Sequence, residues 1–338
     1  MKCSRRIQNS LLLLIILIMF ITGCGPSALF APKPYSETQF LMDTIIDITA
    51  YGPDNEAAVK DAFAEFRRIN DLTNQYDDNS QIAKVNRAAG NAKIQVDPDL
   101  IAMLKQARSR SEQFEGALDV TVGALTELWG VGHKGEFVPS RQEIMAVLPL
   151  VDYRQLEIDD QTNTVYLPKA GMRIDLGAVA KSYANRKAID ALRARGIKSA
   201  LVNAGGEVRV IGKRPDGQPW RIGVQDPRNP EGIAAKITLS DWDVLETSGD
   251  YQRFFIKDNV RYAHIIDPRT GYQPQQVASV TVVTKAASQA DVLSTAMFVL
   301  GVDKGQQLLK QYPGAEAIFI TQDGKKVVTP GLAGKIEF

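Results

Sequence analysis

Tyr262 to Pro274 reads YAHIIDPRTGYQP, at the centre of a longer informative stretch that runs from Thr247 to Thr295. His264, one of only two histidines in the chain, stands beside the β-branched pair Ile265 and Ile266. Asp267-Pro268 followed by Thr270-Gly271 predicts a tight turn, because proline presets φ and glycine accepts a positive one. Upstream, Thr247 to Asp250 reads TSGD at the end of an apolar run. Downstream, Ser279 to Thr284 alternates as a strand, and Ala287 to Leu300 predicts a helix closed by Gly301. On that helix Asp291 and Thr295 are four apart, so their oxygens share a face. A histidine, a carboxylate and hydroxyl on one helical face, and a loop of small residues together point to a phosphate and a hard metal ion. Taken one at a time, the same pieces read better as a core histidine, an ordinary turn and a solvated helix face.

Before this stretch lies a strand-rich segment. Ala200 to Asn203, Glu207 to Ile211, Trp220 to Gln225, Ala235 to Leu239, Val244 to Thr247 and Gln252 to Ile256 predict strands, with Gly205-Gly206 turning the chain. A second helix to Tyr312 and a closing strand, Ala317 to Thr321, follow the Asp291 helix. The first half is more helical. Phe40 to Tyr51 predicts a strand interrupted at Met42 and Asp43; Asp54, Ser80 and Asp97-Pro98 each offer a cap to the helix that follows. Ser140 with Glu143 forms a capping box. Helices early and hairpins late predict an α+β fold: a mixed, largely antiparallel sheet with packed helices.

Two glycine turns invite a nucleotide reading. Gly130 to Gly135 reads GVGHKG, but an apparently helical Leu125 to Trp129 precedes it and no helix directly follows. The dinucleotide fingerprint needs a strand before and a helix after, so a nicotinamide fold is rejected, and His133 reads as a solvated surface residue. Met172 to Ala184 reads MRIDLGAVAKSYA. Here Ile174 is expected to end a strand, Gly177 to turn, and a helix to run to Arg195 with Gly196 as its stop. Amides at that helix start suit a phosphate, with Lys181 adding a charge, though a plain strand-to-helix connection reads equally well.

The N-terminus bears on compartment. Lys2, Arg5 and Arg6 precede an apolar run from Leu11 to Ile21, the pattern of a secretory signal. Ile21-Thr22-Gly23-Cys24 resembles a lipobox, the lipidation signal of bacterial lipoproteins. Residues 1–23 are therefore expected to be a signal peptide, 24–38 a lipidated N-terminus and tether, and 39–338 the folded domain. Cleavage before Cys24 would remove Cys3, the only other cysteine, and leave an exported domain without a disulfide. The balance of 40 basic to 39 acidic residues carries no nucleic-acid footprint.

Eight stretches in order are similar to the FAD:protein FMN transferases, or ApbE-type flavin transferases. They are LMDT at Leu41, YDDNSQIAKVN at Tyr76, GALDVTVG at Gly116, DLGAVAKSYA at Asp175, NAGGE at Asn203, TSGDYQRFF at Thr247, HIIDPRTG at His264 and ADVLSTAMFVLG at Ala290. The resemblance implies a magnesium-dependent enzyme that splits FAD and passes FMN to a threonine of an exported acceptor protein, such as a subunit of a membrane redox complex. It implies magnesium held by Asp291, Thr295 and the carbonyl of Ala178, with pyrophosphate oxygens completing the shell. It puts FAD against Met42, Tyr76, Ala117, Leu118, Asp119, Asp175, Lys181 and Ile265, with Tyr76 on the flavin ring, and makes His264 the base. The chain departs from the family at Asp43 and Ser182, where many members carry glycine, and at Glu207, where they carry aspartate or asparagine. The expected localisation is lipid-anchored at the bacterial cell membrane, facing the periplasm or exterior. A pyrophosphatase yielding FMN and AMP would use the same residues; a non-catalytic flavin-binding lipoprotein would lack the metal pair or the base.

Overall fold

Alternation in Thr44–Tyr51 (TIIDITAY) sends Ile46, Ile48 and Ala50 to one face, and all three are fully buried in the computed structural model, which describes residues 33–285 and 292–338. Strand β2 (Thr44–Tyr51) is the second arm of a hairpin whose first arm is β1 (Pro34–Leu41). The turn is Met42-Asp43, with φ of 53° and 56°, the geometry that fits a two-residue loop to strand twist. The interruption expected in a single strand is thus a chain reversal. Pro34 to Thr38, assigned to the tether by sequence, pair with Tyr51 to Asp47 as part of the sheet.

Helix α1 (Asn55–Thr73) buries Ala58, Ala62, Phe66 and Ile69. Asp54 does not cap it: this residue is left-handed, φ 52°, and its side chain accepts no cap hydrogen bond, whereas capping requires an extended N-cap. The other caps form as expected. Ser80 caps α2 (Gln81–Arg87), Asp97 caps α3 (Pro98–Gln113) beyond the short strand β3 (Ile94–Gln95), and Ser140 and Glu143 close a capping box. Between come α4 (Gly123–Trp129) and, after the box, α5 (Arg141–Val147). Strands β4 (Glu157–Asp159) and β5 (Thr164–Tyr166) pair beside β3 in a small sheet. Helix α6 (Ala180–Ala194) stops at Gly196, whose φ is 78°. No strand ends at Ile174: only an isolated bridge joins Arg173 to Val122, because Asn86 takes both the amide and the carbonyl of Ile174 at 2.7 and 2.9 Å.

The second half supplies β6 (Ser199–Ala204), β7 (Glu207–Ile211), β8 (Trp220–Gln225), β9 (Ile233–Leu239), β10 (Val244–Gly249), β11 (Phe254–Lys257), β12 (Val260–Ala263) and β13 (Val277–Thr284). Helix α7 (Leu293–Leu309) and strands β14 (Glu316–Thr321), β15 (Lys326–Val328) and β16 (Ile336–Glu337) complete the order. The eight-stranded main sheet runs β1-β2-β6-β7-β10-β13-β14-β15, and every pairing in it is antiparallel. Period-two alternation divides its side chains between two cores. Ala317 and Phe319 of β14 join the helices on one face; Ile318 and Ile320 join the sheet β16-β9-β8 on the other. The fold is therefore α+β.

Among the described residues, helix α7 begins at Leu293. The predicted segment Ala287 to Asp291 lies outside the described residues, and Val292 at the N-cap has a φ of 67°, a costly conformation for a β-branched residue. At its middle, Gly301 breaks the helical geometry with φ 76° and ψ −173°, so two helical segments meet there as the predicted stop and second helix imply.

Candidate active site

His264 is placed by a hairpin that the sequence reading only half recognised. Strands β11 and β12 pair from Phe254↔Ala263 to Lys257↔Val260, so Arg253 and His264 flank the open end as neighbours. One face of the hairpin stacks Phe255 on Tyr262, centroids 5.1 Å apart, and Tyr262 lies 5.6 Å from Trp129. Trp129 Nε1 donates to the carbonyl of Gly271 at 2.8 Å, tying α4 to the turn that follows His264. That turn forms as predicted: the amides of Thr270 and Gly271 return to the Asp267 carbonyl, Gly271 has φ 80°, and Arg269 clamps the Asp267 carboxylate at 2.8 Å. His264 is thus held from both sides.

Its ring is oriented as well. Nδ1 lies 3.3 Å from the Arg253 carbonyl, which can only accept, so Nδ1 carries the hydrogen and Nε2 keeps its lone pair. Burial, and then the charges of Arg253 and Lys181, push its pKa down to about 3. The imidazole is neutral at physiological pH.

The cavity beside it, about 420 Å³, gathers residues far apart in sequence. Met42 comes from the β1–β2 turn and Tyr76 from the loop after α1; Ala117, Leu118 and Asp119 come from the segment before α4. Asp175, Ala178 and Lys181 arrive with the loop entering α6, and Ile265 and Thr295 line the same space. Every sequence-predicted binding residue that is described is present there. Asp291 and Cys24 lie outside the described residues.

Two of the carboxylates organise the loops they sit on. Asp119, buried, accepts from the amide and hydroxyl of Thr121 with one oxygen and from the Tyr153 amide with the other. Burial raises its pKa despite those bonds. Asp175 accepts from the Gly177 amide at 2.7 Å and the Thr126 hydroxyl at 2.8 Å, which shapes the turn into α6. A carboxylate has about four lone-pair sites, so each can still meet a ligand donor. Lys181, half-buried in the first turn of α6, has its pKa lowered by burial and then by Arg253.

Thr295 sits in the first turn of α7, and its hydroxyl joins a cluster: Ser248 Oγ lies 3.0 Å from Thr295 Oγ1 and 2.8 Å from Ser294 Oγ. Ser248 therefore belongs to the site. Asp250 does not line the cavity; Arg228 holds it bidentately at 2.7 and 2.8 Å and Gln322 adds a third bond. Among the described residues no three His, Cys, Asp or Glu side chains cluster as metal ligands. The donors present are hydroxyl oxygens, which suit a hard cation that draws other ligands from a carboxylate and from substrate phosphates.

Arg253 and Thr126 were missed in the sequence, and His133 was read as surface. His133 is exposed, yet its ring centroid is 4.2 Å from that of Tyr76 and both line the cavity. The available signal for Arg253 was Asp258-Asn259, a turn pair with φ of 51° and 60° that folds Arg253 onto His264.

A neutral imidazole keeps the lone pair that a proton acceptor needs, and the two cations beside it suit a substrate that carries negative charge. The ApbE family model matches residues 42–319, and the chain belongs to that family. It is 31% identical to the FAD:protein FMN transferase of Treponema pallidum (strain Nichols), over 96% of this chain and 94% of that protein. Identity to an FAD:protein FMN transferase of Klebsiella pneumoniae (strain 342) is 33%, over 86% and 90%. The crystal structure of the ApbE protein of Thermotoga maritima superposes with a TM-score of 0.83 at 33% identity, covering 90% of this chain and 99% of that one. The flavin transferase ApbE from Vibrio cholerae gives 0.78 at 29% identity, with the same coverage.

Proposed function

We propose that this chain is an FAD:protein FMN transferase that moves FMN from FAD to a threonine hydroxyl of an exported acceptor protein and releases AMP. The observation that carries the reading is His264: a neutral ring with Nδ1 committed to the Arg253 carbonyl, beside a cavity lined by Tyr76, Lys181 and Thr295. Tyr76, 54% exposed, offers a ring face to the isoalloxazine. Lys181 and the amides opening α6 face the phosphates. In the transfer, the threonine oxygen attacks the flavin-side phosphorus and the bond from that phosphorus to the bridging oxygen breaks. The threonine proton passes to His264 Nε2, and AMP departs with the bridging oxygen. Thr295, the Ala178 carbonyl and Asp291 would hold magnesium. Bound there with the pyrophosphate, it supplies charge stabilisation to the transferring and departing phosphates.

The N-terminal pattern supports an enzyme exported and anchored through lipidated Cys24, working on the periplasmic or outer side of the bacterial cell membrane. The test combines protein, FAD, magnesium and a candidate exported acceptor, with mass spectrometry of protein and nucleotide products. The expected result is an FMN-phosphoryl adduct on an acceptor threonine and one AMP per adduct. Free FMN and AMP with unmodified acceptor would identify a pyrophosphatase. Bound FAD with no products would identify a flavin carrier.

A further inference from the structure

The arginines of this fold are mostly tied down, and Arg253 is not. Arg228 is bidentate to Asp250 at 2.7 and 2.8 Å, Arg269 is bidentate to Asp267 at 2.8 Å on both arms, and Arg209 meets Glu207 at 2.5 Å. Among the described residues, the guanidinium of Arg253 makes no hydrogen bond; its nearest carboxylate oxygen, on half-exposed Asp43, is 3.8 Å from Nη1. Its stem runs beside the Gly130–Gly135 loop, where a Cβ on Gly132 would lie 3.9 Å from Arg253 Cδ. Arg253 lines the cavity, and its charge acts on His264, Lys181 and Tyr76, which line it too. A planar five-donor cation without a close partner, set in a concave site, is suited to bidentate recognition of phosphate oxygens.

We infer that Arg253 is a further substrate-binding residue of this enzyme, its guanidinium gripping the flavin-side phosphate, the one transferred, while its carbonyl orients His264. The inference rests on the transferase reading above. It selects the flavin-side phosphate because one residue supplies both groups. The carbonyl fixes the base, the base must reach the hydroxyl that attacks this phosphorus, and the side chain leaves the same Cα into the same cavity. The carbonyl contact survives substitution of the side chain, so the two roles are separable.

The experiment measures FAD, FMN and riboflavin binding by flavin fluorescence, with thermal melts, for wild type, Arg253→Gln and Arg253→Lys. Losing a charge-assisted contact should weaken FAD and FMN binding by about 10- to 100-fold in Arg253→Gln. Riboflavin, which has no phosphate, should bind as in wild type, and Arg253→Lys should recover part of the loss. Equal binding of FMN by wild type and Arg253→Gln overturns the assignment, as does a parallel loss of riboflavin, which marks a merely structural role. If Arg253→Gln melts early, Arg253→Lys against wild type gives the same comparison on a folded protein. Wild type that binds neither FAD nor FMN removes the transferase reading and this inference with it, whereas wild type that binds both while Arg253→Gln matches it removes only this inference.

Discussion

In the proposed transfer His264 is the residue on which the chemistry turns, and its environment yields two measurable consequences. His264→Gln removes the basic ring nitrogen while leaving most of the side-chain volume. Transfer should fall by about 10²- to 10⁴-fold, the usual worth of a positioned general base, with FAD affinity and melting temperature near wild type. A variant that transfers normally takes His264 out of the mechanism. The second consequence is thermodynamic. The unfolded chain's histidine titrates near its ordinary value of 6.5, while the folded one is pushed down to about 3. Between those values the unfolded state binds more protons, so stability rises with pH across that window and is fully present above it. Melting temperature followed from pH 7 down to pH 4 should therefore drop less steeply in His264→Gln than in wild type. Identical slopes would mean that the imidazole is not held neutral by the fold.

At the scale of elements, the cavity is shaped by turns that demand particular residues. Gly205 and Gly206 join β6 to β7 with φ of 57° and 89°, and a Cβ on Gly205 would lie 2.3 Å from Thr44 Oγ1. Gly205→Ala should cost about 1–3 kcal/mol in denaturant unfolding, from a left-handed non-glycine residue and a clash with β2. Adding Thr44→Ala should return only the clash component; full recovery would show that the backbone conformation costs nothing. The departures from the family have local accounts. Asp43 sits at a positive φ that glycine would take without strain, Ser182 Oγ accepts from Arg209, and Glu207 pairs with that same arginine. The start of α7 carries the third element-level expectation. Val292 holds a strained N-cap beside Asp291, and Thr295 meets Ser248 from β10. Asp291→Ala should abolish transfer, and added magnesium should rescue it poorly. Unchanged activity with an unchanged magnesium requirement would return that residue to the solvated surface.

For the molecule as a whole, one antiparallel sheet carries helices on one face and a three-stranded sheet on the other, and the cavity is lined from many separate segments. The proposed anchoring would be a property of the whole chain as well. If Cys24 is lipidated, Cys24→Ala should leave an exported, unanchored protein or an unprocessed precursor, read by membrane fractionation and the mass of the N-terminal peptide. A variant processed and membrane-held like wild type would exclude the lipobox.

Local chemistry made much of this legible from sequence. Caps at Ser80, Asp97 and Ser140, the Asp267–Gly271 turn and the glycine stop at Gly196 depend on neighbours within a few residues, so the local order of residues determines them. Period-two patterning likewise foretold an α+β fold with a largely antiparallel sheet. Asp54 fails as a cap because its backbone is left-handed, and Ile174 ends no strand because its backbone answers to a distant partner. The Ile174 amide and carbonyl are taken by Asn86, 88 residues away. The site divides in the same way. Residue types such as His264 and Thr295 could be named from sequence and family resemblance. The neutral imidazole, the loosely paired Arg253 and the contact of Ser248 with Thr295 were decided only in three dimensions. Burial, unscreened charge and side-chain contact are properties of packing between segments, and no linear spacing encodes them.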